Sequence, residues 1–214
     1  GVKPLFYYNK DNKLIFCSEI NPIKDEIGTN NLSINTTALS VYFRLFFIPS
    51  PITIWNEIES LKQGNYLIYD LKSNQLQQKT YWKLSQPERS KSNISKLEEL
   101  IEDASIIRTR SDVPYSVFLS GGIDSTLITK YLSRFNKNLQ TYTVEVQDPD
   151  LNEAEYSNIA ATKFKTKHSS IKLKYKNILI NHLREMTTYF GQPFADLSII
   201  PYDLISNQIG SRSV

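Results

Sequence analysis

The sequence predicts an α/β protein of two domains: a strand-rich front part, then a part that starts a doubly wound parallel sheet. Three observations predict it. Up to about residue 84, short apolar runs are divided by polar turns. Residues 85–94 are a polar linker that begins Ser-Gln-Pro-Glu-Arg. From 95 to 214, strand-like and helical patterns alternate, which calls for a parallel sheet covered on both faces.

In the front domain, residues 1–84, the strand patterns are Leu5–Tyr8, Leu14–Cys17, Tyr66–Tyr69 and Lys79–Trp82. Polar turns at Asn9–Lys13, Gln63–Asn65 and Lys72–Asn74 divide them. Thr37–Phe47 reads as a helix, with Ala38, Leu39, Tyr42, Phe43 and Phe46 on one core-facing stripe. In the back domain a helix starts at Ser95, with Glu98 completing a capping box. Leu97, Leu100, Ile101, Ala104 and Ile107 keep its helical spacing. After Pro114 come a strand at Val117–Leu119 and a helix to about Phe135. Tyr142, Val144 and Val146 alternate with polar residues in a second strand. Asn152 with Glu155 caps another helix, Ser169–Leu173 is a third strand, and Ile178–Phe190 is a further helix.

The chemistry concentrates in Val117–Ser125, Val-Phe-Leu-Ser-Gly-Gly-Ile-Asp-Ser. A buried strand ends, the chain turns on two residues without a Cβ, and a helix begins. Backbone N–H groups at a helix start lack intrahelical acceptors and attract anions. Gly121 and Gly122 allow close approach, and Ser120 and Ser125 add hydroxyls. Asp124 beside a phosphate is repulsive unless a cation intervenes; Mg²⁺ shared with phosphate oxygens meets that need. Gly-Lys-Ser/Thr and Gly-x-Gly-x-x-Gly are absent, so neither of those nucleotide loops applies. Ligands of parallel sheets bind at the carboxyl ends of strands. Ser120 lies at one such end and the Gln147–Pro149 turn at another, with Val144 on the wall of the crevice.

Composition narrows the class. Lys plus Arg number 25 against 22 Asp plus Glu, a net charge of +3, too balanced to argue for nucleic acid. Cys17 is the only cysteine. That excludes an internal disulfide and a four-thiolate zinc site, and it fits a reducing compartment such as the cytoplasm. No run approaches the ~18 apolar residues of a membrane span. His168 and His182 have no cysteine or carboxylate at ligand spacing and read as structural. Lys172, Lys174 and Lys176 read as a charged strand edge. Asp196, beside Ser198 in a Pro-bounded loop, reads as a helix N-cap.

Ser-Gly-Gly-x-Asp-Ser resembles the pyrophosphate (PP) loop of the ATP pyrophosphatases. The rest of the chain resembles one family of them in order. Gly1-Val2-Lys3-Pro4-Leu5, Phe16-Cys17-Ser18-Glu19-Ile20, Gln63-Gly64-Asn65-Tyr66-Leu67 and Tyr81-Trp82-Lys83-Leu84 are similar to segments of class B glutamine-hydrolysing asparagine synthetases. So are Asp112-Val113-Pro114-Tyr115, Asn152-Glu153-Ala154-Glu155-Tyr156 and Gln192-Pro193-Phe194-Ala195-Asp196 with Ser198 and Pro201.

The resemblance implies that residues 1–84 are the C-terminal half of a glutaminase α+β sandwich of the N-terminal-nucleophile type. It implies that residues 95–214 start the PP-loop synthetase domain. The implied reaction is adenylation of the aspartate β-carboxylate by ATP and amidation by glutamine-derived ammonia. Ser120, Gly121, Gly122 and Ser125 would hold pyrophosphate, Asp124 Mg²⁺, and Leu119 and Val144 the adenosine. Asp196 and Ser198 would contact nucleotide or acceptor. A cytoplasmic enzyme, homodimeric at full length and acting on aspartate, glutamine or ammonia, and ATP, is expected. The family's nucleophilic cysteine stands at the amino terminus, where this chain has Gly1, and its second Mg²⁺ carboxylate, catalytic acid and phosphate-contacting lysine lie beyond Val214. An internal fragment is therefore expected, with no glutaminase or synthetase activity of its own. Two alternatives stay open: a related ligase for a sugar acid, a peptide carboxylate or a lactam, and an inactive remnant.

Overall fold

The computed structural model describes residues 3–85, 93–146, 152–172, 179–196 and 198–210. They fall into two compact units, Gly1–Pro87 with Leu179–Leu197, and Glu88–Ile178 with Ser198–Val214. Packing thus attaches Leu179–Leu197, which follows the second unit's strands in sequence, to the first unit. The described residues form a mixed α/β structure that includes a parallel sheet.

In the first unit, β1 (Phe6–Lys10) and β2 (Lys13–Cys17) form an antiparallel hairpin. Its two turn residues, Asp11 and Asn12, sit at φ 53° and 57°, a region that these short polar side chains tolerate. β3 (Glu59–Ser60) pairs with the other edge of β1, and the Tyr7 hydroxyl donates to the Glu59 carboxylate at 2.8 Å. β4 (Asn65–Asp70) and β5 (Gln75–Thr80) make a second hairpin. Its last strand lies ahead of the expected Lys79–Trp82, because Tyr81 and Trp82 already donate their N–H groups to the Gly64 carbonyl. The hairpin register chose a polar strand that an apolar pattern does not mark.

α1 (Ile20–Ile27) was not foreseen; it buries Ile20 and Ile23 against Tyr8 and Ile58. Cys17 packs beside them as a small hydrophobe. α2 (Thr36–Leu45) is capped by the Asn35 side chain, which accepts from the Ala38 N–H at 3.0 Å. Ala38 is buried, but Phe43 and Phe46 are 70% and 65% exposed, contrary to the expected core stripe. Phe46 leaves the helix at φ +63°, so the stripe ends before it reaches the core. α6 (Leu179–Phe190) and the segment after it also belong here: Trp55 Nε1–H donates to the Gly191 carbonyl at 3.2 Å.

In the second unit, α3 (Ile94–Ile107) is capped by Asn93, whose Oδ1 accepts from the Lys96 N–H at 3.0 Å. This replaces the expected Ser95–Glu98 capping box; Glu98 instead pairs with Lys130. β6 (Ser116–Phe118), β7 (Gln140–Glu145) and β8 (Lys167–Lys172) form a parallel sheet in that order. α4 (Ile123–Phe135) and α5 (Ala154–Phe164) connect them. Alternation along β6 explains the layering. Val117 packs with Leu132 and Leu139, and Leu119 with Ala160 and Ala161. Phe118 faces the other way, its ring 5.2 Å from that of Tyr202 on α7 (Ile199–Gly210). Both faces of the sheet are therefore covered. Gln147–Pro149, Leu173, Lys174, Lys176 and the His182 side chain lie outside the described residues. Among the described residues no helix is long and apolar enough to cross a membrane.

Candidate nucleotide site

The Ser120–Ser125 turn is built between a strand end and two helix starts. Leu119, just past β6, still donates its N–H to the Tyr142 carbonyl at 2.8 Å. Gly121 then adopts φ +84°, which favours glycine. A Cβ there would lie 2.5 Å from Tyr156 Cβ and 2.6 Å from Ser157 N. The turn is thus pressed against the first residues of α5. Gly122 has an ordinary φ of −66° and is the N-cap of α4. A Cβ on it would meet only Ser120 Oγ, at 3.3 Å. Gly121 makes the turn; Gly122 keeps its surface bare.

The two serines close the loop. Their Oγ atoms are 2.9 Å apart, Ser125 Oγ accepts from Ser120 N–H at 3.2 Å, and Ser120 Oγ accepts from Gly122 N–H at 3.2 Å. These N–H groups converge on hydroxyl oxygens, and a phosphate oxygen can take the same acceptor place. Asp124 is exposed in the first turn of α4, where the helix dipole favours a negative charge.

Beside the loop lies a cavity of about 300 Å³. Leu119, Ser120 and Ser125 line it from the turn, and Tyr142, Thr143, Val144 and Val146 from the end of β7. Ser198, Pro201, Tyr202 and Ile205 close another side, and Glu153 adds a carboxylate. The structure therefore brings together Leu119, Ser120, Ser125, Val144 and Ser198 from the sequence-based set. Gly121, Gly122 and Asp124 belong to the turn but do not line the cavity. Asp196 is absent from the lining and falls in the first compact unit. Nor does Asp196 stand at the N-cap, since α7 starts at Ile199 and Tyr202 N–H bonds back to the Ser198 carbonyl at 3.1 Å. Phe118, Glu153, Pro201 and Tyr202 were not singled out. The Asp196-x-Ser198-x-x-Pro201 spacing marks the segment without marking which of its side chains face the cavity.

Below the loop, Thr141 Oγ1 lies 2.9 Å from His168 Nδ1 and 2.8 Å from Thr166 Oγ1. Burial pushes the His168 pKa below its ordinary value, with a hydrogen bond to Thr141 opposing. This supports the structural reading of His168. Among the described residues no group of three or more His, Cys, Asp or Glu could hold a metal. Asp124 is the loop's one carboxylate, so the residues present fit Mg²⁺ only as partners of phosphate oxygens.

Residues 96–214 match the asparagine synthase family, and residues 1–82 match the glutamine amidotransferase domain. The chain belongs to the asparagine synthase family. Its relatives in that family include a Methanocaldococcus jannaschii protein provisionally named a glutamine-hydrolyzing asparagine synthetase, 34% identical over 94% of this chain. A glutamine-hydrolyzing asparagine synthetase of Bacillus subtilis is 27% identical over 97% of it. An amidase of Gibberella zeae is 28% identical over 64%. The chain spans 40% of the first relative's length and 33% of the second's.

Proposed function

We propose that this chain carries the ATP-activating loop of a glutamine-hydrolysing asparagine synthetase. The observation that carries this reading is the strand–Gly121–Gly122–helix turn. Its N–H groups and serine hydroxyls converge beside a cavity lined by Val144, in a chain of the asparagine synthase family. Residues 1–84 are read as part of the glutaminase domain, 85–94 as a linker and 95–214 as part of the synthetase domain. The full-length enzyme is read as a cytoplasmic homodimer.

In this reading the turn receives the β- and γ-phosphates of ATP. Ser120, Gly121, Gly122 and Ser125 donate to their oxygens, and Leu119 and Val144 flank the adenosine. Ser198 touches nucleotide or acceptor. An aspartate β-carboxylate oxygen attacks the α-phosphorus, the α–β bridging P–O bond breaks, and pyrophosphate leaves. The ammonia lone pair then forms a C–N bond at the acyl carbon. One N–H proton is lost, AMP departs with its phosphate oxygen, and asparagine remains. An anion is attacking a polyanion here, so neutralisation is the main physical need. Mg²⁺, held by Asp124 with phosphate oxygens, supplies that neutralisation when bound.

The test uses the whole protein carrying this segment, with aspartate, MgATP and ammonia. Asparagine, AMP and pyrophosphate in equal amounts are expected. ADP and phosphate as products would overturn the loop assignment. Amidation of another carboxylate with aspartate untouched would overturn the acceptor assignment alone. Asp124→Asn should abolish the Mg²⁺-dependent part of ATP binding, and unchanged binding would refute its metal role.

A further inference from the structure

α4 runs away from the Ser120–Ser125 turn for 13 residues, about 20 Å at 1.5 Å per residue. Its far end carries a feature that nucleotide activation does not use. Lys130 and Arg134 lie about one turn apart on α4, Lys137 follows just past the end of that helix, and Lys163 and Lys165 come from the end of α5. All five surround one hollow of about 460 Å³. Two of them are answered: Lys130 Nζ lies 3.2 Å from Glu98 and Arg134 Nη1 3.5 Å from Glu102. Lys137, Lys163 and Lys165 have no acidic partner among the described residues.

Helix C-termini favour cations, which accounts for Arg134 and Lys163 in the last turns. It does not account for gathering five cations around one concavity, where like charges repel. The shape narrows what balances them. Phe164, also on the hollow, is half-buried against Leu119, Ala160 and Ala161. It is the one ring among the residues lining the hollow, and a single half-buried ring is a poor platform for the successive base stacking that single-stranded nucleic acid uses. A compact, multiply charged anion without a ring system fits better.

We propose that this hollow binds a small polyphosphate anion, separately from the Ser120–Ser125 turn. The site does not depend on the function proposed above. Its test is calorimetric titration of the whole protein carrying this segment with tripolyphosphate, the turn silenced by Ser120→Ala with Ser125→Ala. One-to-one binding that weakens steeply with added salt is expected. Adding Lys137→Gln, Lys163→Gln and Lys165→Gln should weaken it by at least about tenfold. Circular dichroism should stay unchanged, since all three lysines are exposed. No binding in the turn-silenced chain would overturn the proposal, as would an affinity indifferent to the three lysines. A single-stranded oligonucleotide of equal charge that bound these lysines more tightly would also overturn it, in favour of nucleic acid.

Discussion

Replacing Gly121 with alanine tests whether the phosphate turn is held by its contact with α5. Two costs add. A side chain at φ +84° sits in the left-handed region, at about 1–2 kcal/mol. The added Cβ would approach Tyr156 Cβ to 2.5 Å and Ser157 N to 2.6 Å, far inside the roughly 3.5–4 Å of a favourable contact. Part of that obstruction is backbone, which cannot rotate aside, so strain of about 1–3 kcal/mol follows. The total is about 2–5 kcal/mol, against the roughly 5–15 kcal/mol that holds a typical domain folded. Gly122→Ala is the control: its φ is −66° and its Cβ would meet only the Ser120 hydroxyl at 3.3 Å. It should cost no more than about 1 kcal/mol, as an N-cap change. Urea unfolding of both variants, compared at constant m-value, measures the gap. Equal midpoints would refute the packing argument, and a less stable Gly122 variant would invert it.

Asn93→Ala should cost about 1 kcal/mol by removing the α3 cap; no change in the unfolding midpoint would return the cap to Ser95. His168 is held below its ordinary pKa chiefly by burial, so the unfolded chain takes up this proton at a higher pH than the folded one. Its contribution is therefore complete above the unfolded value of about 6.5 and is lost as pH falls through it toward the folded value. His168→Gln should flatten that part of the stability–pH curve, and an unaltered slope would contradict the assignment. Cys17→Ser in the whole protein should leave glutamine hydrolysis intact, because the thiol packs beside the β1–α1 core; loss of hydrolysis would place Cys17 in the glutaminase site.

What was legible in the sequence was local. The Ser120–Ser125 turn announced itself because its chemistry depends on adjacent residues: two glycines, two hydroxyls and a helix start. The helix expected to about Phe135 is α4, Ile123–Phe135. The partner that makes Gly121 obligatory, Tyr156, stands on another helix, and no local pattern joins the two. The Tyr202 ring beside Phe118 was equally invisible. The Phe43–Phe46 stripe failed differently. Periodicity shows which residues share a helix face and cannot say which face is packed. Leu179–Leu197 shows the same limit at larger scale. It follows the second unit's strands in sequence, yet Trp55 and Ile54 of the first unit bond to Gly191 and Gln192.

Competition binding tests whether the turn holds the pyrophosphate end of ATP. A fluorescent adenine nucleotide triphosphate is bound to the chain with Mg²⁺ and displaced by unlabelled ligands. Pyrophosphate should displace it competitively, and Ser120→Ala with Ser125→Ala should weaken nucleotide binding by roughly the 3–6 kcal/mol of two lost charge-assisted hydrogen bonds. Retention of the nucleotide under saturating pyrophosphate, with the serine variant binding as well as the unaltered chain, would contradict the account.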